Sequence, residues 1–222
     1  DLAGLPKDRY YLYRSRWNIK EETLHVLPHW NWEGREGEVT PVFVYTSYNS
    51  AELFVNGKSM GIQKKNNSSP TNRYRLMWMD VQYEPGTIKV VAFDDDGKAV
   101  AEQERHTAGK PYKLVLEADR TQLDADGKDL SFVTVSVVDK NGIPCPTATN
   151  QLQFNVKGDG VFRAACNGDA TSLEQFHLPR MKLFSGKLVV LLQSASNAGE
   201  IELKVSGKGL QPAKIKITTK KN

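Results

Sequence analysis

Apolar residues in the first seventeen positions, DLAGLPKDRYYLYRSRW, recur at helical spacing, with Tyr10, Tyr13 and Trp17 at i, i+3 and i+7. Pro6 suits the first helical position, where no N–H is needed, and Asp8 would fall in the first turn, where negative charge is favoured. The pattern predicts a short helix, residues 1–20 at most, with one aromatic face. Such a helix is marginal in water unless that face is covered. The rest of the chain offers no obvious cover.

From Thr23 onward the period falls to two. Extended segments are predicted at residues 39–48, 51–55, 59–63, 73–81, 87–93 and 98–104. Asn56-Gly57 is a strong hairpin signal, because the tight turn it favours needs positive φ at both central residues. The Asn66-Asn67-Ser68-Ser69-Pro70 stretch is a polar loop, and Glu84-Pro85-Gly86 and Asp95-Asp96-Gly97 are turns. Thr107-Ala108-Gly109-Lys110-Pro111 is the best linker, and the alternation restarts after it at residues 112–118, 131–139, 151–156, 161–166, 187–194, 199–206 and 213–219. Short strands at this spacing imply an all-β chain: two consecutive immunoglobulin-like β-sandwiches, residues 21–109 and 110–222, preceded by a short N-terminal helix. Residues 168–186 resist a strand reading. They carry Phe176, Leu178, Met181, Leu183 and Phe184, too apolar for a free loop, and are expected to dock on a neighbouring domain.

Composition narrows this picture in two ways. Of 222 residues, 39% are hydrophobic and 25% charged, and no apolar run approaches a membrane span. Residues 1–110 hold 15 basic and 15 acidic side chains, so the net +4 arises in the remaining 15 basic and 11 acidic ones. Much of it is Lys214, Lys216, Lys220 and Lys221. Lys214 and Lys216 alternate at strand period and share one solvated face. Arginines and aromatics are not interleaved as nucleic-acid binding would want.

Candidate chemistry is sparse. Cys145 and Cys166 cannot build a disulfide framework or a four-ligand zinc site; a single bridge between them stays open, and free thiols are the expectation. His25 and His29 have helical metal-ligand spacing, but Pro28 intervenes in an extended context. Asp94-Asp95-Asp96-Gly97 and Asp124-Ala125-Asp126-Gly127 lack the downstream glutamate of a calcium loop. No metal and no cofactor is expected. Glu33, Glu36 and Glu38 lie in a glycine-punctuated loop with no marked partner carboxylate for glycosidase chemistry. Trp30-Asn31-Trp32 stands out: two indoles of equal parity, which on a strand would share a face and could offer a sugar platform or pack into a core.

These residues resemble a known family. GLPKDRYYLYRSRW is similar to the last helix of the catalytic (β/α)8 barrel in glycoside hydrolase family 2 enzymes of the β-galactosidase type, with Leu5 and Arg14 departing from that pattern. The stretch LHVLPHWNWEGREGEVTPVFVYTSYNSAELFVNGKSMG, with Tyr83-Glu84-Pro85-Gly86 and Arg105-His106-Thr107-Ala108-Gly109, resembles the β-sandwich that follows the barrel. DRTQLDADGKDLSFVTVSVVDKNGIPCPTA and Cys166-Asn167-Gly168-Asp169 with Thr171, Ser172 and Glu174 resemble the family's invasin-like C-terminal domain. The resemblance implies a non-catalytic C-terminal accessory region of a retaining glycosidase whose catalytic glutamates lie upstream of Asp1; no position here matches them. It implies an upstream barrel as partner, met by Tyr10, Tyr13, Trp17, Phe176, Leu178 and Phe184, and carbohydrate met through the parent enzyme. Trp30 and Trp32 are the candidate sugar contacts. The chain opens Asp1-Leu2-Ala3-Gly4 without an initiator Met or a signal peptide, so a piece of a longer protein is expected, and the resemblance implies a periplasmic or cell-surface location. The alternatives are a carbohydrate-binding module built on Trp30 and Trp32, or a structural, adhesin-type immunoglobulin array.

Overall fold

The computed structural model describes residues 1–221. The chain divides into two compact units, Pro6–Thr107 and a second unit made of Ala108 onward together with Asp1–Leu5. Each has its own hydrophobic core.

The first unit opens with helix α1 (Asp8–Trp17), two residues later than Pro6 would have set it, with Lys7 at the N-cap. Strands β1 (Leu24–Leu27), β2 (Val42–Thr46) and β5 (Leu76–Trp78) form a three-stranded antiparallel sheet in the order β1-β2-β5. A second antiparallel sheet runs β4-β3-β6-β7, from β3 (Ser50–Val55), β4 (Lys58–Lys64), β6 (Thr87–Phe93) and β7 (Ala99–His106). Period-two burial explains the packing. Val42 and Val44 point inward from one sheet and Leu53, Ile88, Val90 and Ala92 from the other, into one core with Leu76 and Trp78. The β3–β4 turn has Asn56 at φ 48° and Gly57 at φ 81°, as the hairpin signal required. Asn56 then joins this turn to the next one: its Oδ1 accepts from the Thr87 N–H at 2.8 Å and its Nδ2 donates to the Pro85 carbonyl at 3.2 Å.

The second unit is also a two-sheet sandwich. One sheet has the order β12-β14-β10-β8, from β8 (Lys113–Ala118), β10 (Leu130–Val138), β12 (Gly160–Cys166) and β14 (Lys187–Ser194). The other has the order β13-β11-β15-β16-β9, from β9 (Gln122–Asp124), β11 (Gln151–Gly158), β13 (Arg180–Lys182), β15 (Gly199–Gly207) and β16 (Ala213–Lys220). All pairings are antiparallel except β16 with β9. Val133, Val135, Leu188, Val190 and Leu192 face Leu152, Ile201, Leu203, Val205 and Ile217 across the core. Gly158 closes the tight β11–β12 connection at φ +90°. A Cβ there would stand 2.0 Å from the Glu200 carbonyl oxygen, so only glycine fits. The all-β, two-sandwich reading with one short helix therefore holds.

Residues 168–186 are held inside this unit. Met181 and Leu183 are core residues, β13 pairs with β11, and the Glu174 carboxylate accepts from the Lys182 N–H at 3.1–3.2 Å. The buried Asn167 donates to the Lys182 carbonyl at 3.0 Å. The expectation that this whole segment docks elsewhere is corrected to that extent: Met181 and Leu183 already fill this unit's core.

Candidate functional site

Helix α1 has two faces of different character. Its inner face is Asp8, Tyr11 and Ser15, packed on β1 and β2. Tyr11 stacks on His25 with ring centroids 3.8 Å apart and planes within 7°. The buried His25 places Nε2 2.7 Å from the Asp8 carboxylate. That hydrogen bond holds the Asp8 carboxyl below the usual carboxylate range, against the opposing effect of its partial burial. Burial pushes the neighbouring His29 imidazole down.

Successive helical residues turn by about 100°, so Tyr10, Tyr13 and Trp17 lie on the opposite face. They are 52%, 46% and 74% exposed. Tyr13 and Trp17 stack on each other with centroids 4.8 Å apart and planes 17° apart. Ile19, just past the helix, is almost fully exposed, and Arg16 lies 5.4 Å from the Tyr74 ring centroid. Apolar rings gathered on a solvent face are unusual enough to mark an interaction surface.

The loop between β1 and β2 corrects the tryptophan pair. Trp30 is only 1% exposed; its indole N–H donates to the Glu84 carbonyl at 2.9 Å and its ring meets Tyr83 edge-on at 5.1 Å. The Thr107 hydroxyl donates to the Trp30 carbonyl at 2.6 Å. Trp30 has no free face for a sugar. Trp32 is half-buried, stacked on His29 at 4.4 Å with the Arg35 guanidinium 5.2 Å from its centroid. The two indoles do not form one platform, because the segment holding them is not a strand. Glu33, Glu36 and Glu38 are exposed, and Glu38 pairs with Arg35 at 2.8 Å.

Phe176 is half-exposed and lines a cleft of about 710 Å³ on the outer face of the β12-β14-β10-β8 sheet, beside Leu2, Leu5, Phe132 and Leu191. Leu178 and Phe184 are half-buried and line a separate groove. Of the six residues expected to dock, Tyr10, Tyr13 and Trp17 belong to the first unit and Phe176, Leu178 and Phe184 to the second. Cys145 is buried and Cys166 half-buried, both as free thiols, and burial raises the Cys145 pKa. Among the described residues no group of three or more His, Cys, Asp or Glu side chains is placed to hold a metal ion, and no helix is long and apolar enough to cross a membrane.

Sequence reading missed Lys65. Its ammonium donates to the Thr46 carbonyl at 2.6 Å, and burial lowers its pKa from 10.5 to about 8. Between those values the unfolded chain binds more protons than the folded one, so stability should rise as pH climbs from about 8 to about 10.5. Denaturant titrations across that window should show the rise in the native chain and a flatter profile in Lys65→Met. Identical profiles would contradict the assignment.

The profile of glycoside hydrolase family 2 C-terminal domain 5 matches residues 114–216, and that of a domain of unknown function (DUF4982) matches residues 37–101. A beta-galactosidase from Bacteroides ovatus is 44% identical over 218 residues, covering 98% of this chain and 25% of its own. The chain belongs to glycoside hydrolase family 2. It is C-terminal sequence of that family. A beta-glucuronidase from Formosa agariphila is 29% identical, covering 98% of this chain and 21% of its own. Among solved structures, a beta-glycosidase from Bacteroides vulgatus superposes with a TM-score of 0.90 at 35% identity, over 98% of this chain and 27% of that one. A family 2 member from Bacteroides cellulosilyticus superposes with a TM-score of 0.91 at 30% identity, over 100% and 31%. The family 2 chain thus spans about a quarter of the length of the relatives it matches.

Proposed function

We propose that this chain is the non-catalytic accessory region of a β-galactosidase-like family 2 enzyme, and that it buttresses the catalytic barrel through the outer face of α1. The observation that carries the reading is the exposed triad Tyr10, Tyr13 and Trp17 on a helix whose other face is already packed. Burying three such rings is worth several kcal/mol at about 25 cal/mol per Å², enough to hold two domains in register. The parent's retaining, two-carboxylate hydrolysis of β-linked sugars belongs to the upstream barrel in this reading, and an exported location, periplasm or cell surface, goes with the family resemblance. The barrel supplies the chemistry and this region the frame.

The purified chain should therefore release no nitrophenol from an aryl β-galactoside above the buffer rate. Turnover by the chain that survives removal of trace contaminants would overturn the proposal.

A further inference from the structure

The outer face of the β13-β11-β15-β16-β9 sheet carries no apolar side chain. Leu152, Phe154, Met181, Leu203 and Ile217 point into the core, so their neighbours at period two point out. On β13 these are Arg180 and Lys182; on β11, Gln151, Gln153, Asn155 and Lys157. On β15 they are Glu200, Glu202, Lys204 and Ser206; on β16, Lys214, Lys216, Thr218 and Lys220. Short β9 adds Gln122 and Asp124. Seven cations thus stand with three carboxylates on one face, an excess of 7 − 3 = 4. That equals the net charge of the whole chain.

Two of the carboxylates are spent locally. Glu202 bonds Lys214 at 2.9 Å, with Lys157 opposite it across the ladder, and Glu200 bonds Lys216 at 2.8 Å. Arg180, Lys182 and Lys204 have no carboxylate within ion-pair distance among the described residues. Strand register sets a polar neighbour beside each: Gln153 opposite Arg180, Gln151 opposite Lys182, Asn155 opposite Lys204. Adjacent strands lie about 4.8 Å apart and same-face residues along a strand roughly 7 Å apart, so across β13, β11 and β15 these three cations each stand one strand from an amide, at sugar-sized intervals. The surface is also shaped. The loop after Asn167 walls a groove of about 1210 Å³ over Gln151, Gln153, Arg180 and Lys182, and a second groove of about 380 Å³ continues from Gln153 past Lys204 to Lys214. The acids in the first groove are engaged: Glu174 by the Lys182 N–H, and Asp169 by Thr171.

We propose that this grooved, basic sheet face binds an anionic polysaccharide, a hydroxylated chain bearing carboxylate or sulfate groups. Cations meet the acidic groups and the amides meet hydroxyls and ring oxygens. Nucleic acid fits less well because none of the outward residues of the five strands is aromatic, and the one ring that lines the first groove, Phe184, is half-buried, so successive bases have no stacking platform. A membrane surface fits less well because the strands present no apolar side chain outward and the groove wall adds a single exposed one, Leu173, too little to insert. This binding does not depend on how the barrel is engaged.

The test is affinity electrophoresis of the full chain through gels holding alginate (carboxylate), chondroitin sulfate (sulfate) or neutral dextran, with duplex DNA and phosphatidylserine vesicles as competitors. Retardation is expected on at least one acidic polysaccharide and not on dextran, and the responding gel identifies the acidic group. Binding should weaken by roughly tenfold or more between about 50 and about 200 mM salt. Arg180→Gln/Lys182→Gln/Lys204→Gln should lose roughly tenfold in affinity with an unchanged thermal midpoint. Lys58→Gln/Lys64→Gln/Lys98→Gln, which removes the same charge from the first unit, should lose less than about twofold. No retardation on either acidic polysaccharide would overturn the proposal. So would equal losses in the two triple variants, or tighter binding of DNA or vesicles at the same salt.

Discussion

Trp30→Ala is expected to destabilise the first unit by about 3–5 kcal/mol, the range for deleting a buried aromatic from a core that cannot collapse around the gap. Three features put it at the upper end. The indole is almost wholly enclosed and meets Tyr83 edge-on, a geometry that adds to area burial. Its N–H satisfies the Glu84 carbonyl, which the substitution would leave without this donor. Its backbone carbonyl takes the Thr107 hydroxyl, so the loop that carries Trp30 is stitched to the end of β7. Urea denaturation followed by circular dichroism measures the loss directly. Because the two units have separate cores, the transition that moves should be that of the first unit. Trp32→Ala removes a half-buried ring and should cost markedly less. A Trp30→Ala protein within about 1 kcal/mol of the native one would mean that the indole does not carry this core.

Much of the architecture was legible because strand periodicity and turn chemistry are local. Val42 to Thr46, Ile88 to Ala92 and Lys214 to Ile217 alternate cleanly, and Asn56-Gly57 turns where its left-handed preference says it should. The strands that escaped are short. Leu24–Leu27, Gln122–Asp124 and Arg180–Lys182 span too few residues for alternation to separate them from loop, and only pairing with β2, β16 and β11 makes them strands. The tryptophan argument failed for a related reason. Equal parity places two side chains on one face only where the backbone is extended, and Gly34 and Gly37, at φ 82°, keep the loop after Trp32 from being so.

The helix shows a subtler limit. Periodicity correctly grouped Tyr10, Tyr13 and Trp17, but it could not say which face the helix turns to its own sheet. His25 settles that, by stacking on Tyr11 and bonding Asp8 across 17 residues of sequence. The polar residues won the inner face because a buried histidine needs a partner for its ring nitrogen. The aromatic rings were left outside. The basic sheet face was likewise half visible: Lys214 and Lys216 announced a solvated strand, but register alone brought Lys204, Arg180 and Lys182 alongside.

The second large effect concerns those outer rings. If α1 is a docking element, Tyr10, Tyr13 and Trp17 should pass from about half or more exposed to nearly buried when the upstream family 2 barrel is present. Stacking of Tyr13 on Trp17 already presents the pair as one flat apolar surface, so little side-chain ordering would oppose docking. Tyr11 and His25, covered already, should not change, and they serve as internal controls. Hydroxyl-radical footprinting with mass-spectrometric readout, run on the chain alone and on the chain joined to its barrel, reports all of these positions at once. The account predicts that labelling of Tyr10, Tyr13 and Trp17 falls by roughly tenfold in the joined protein, in keeping with full burial. Equal labelling in the two proteins would contradict it.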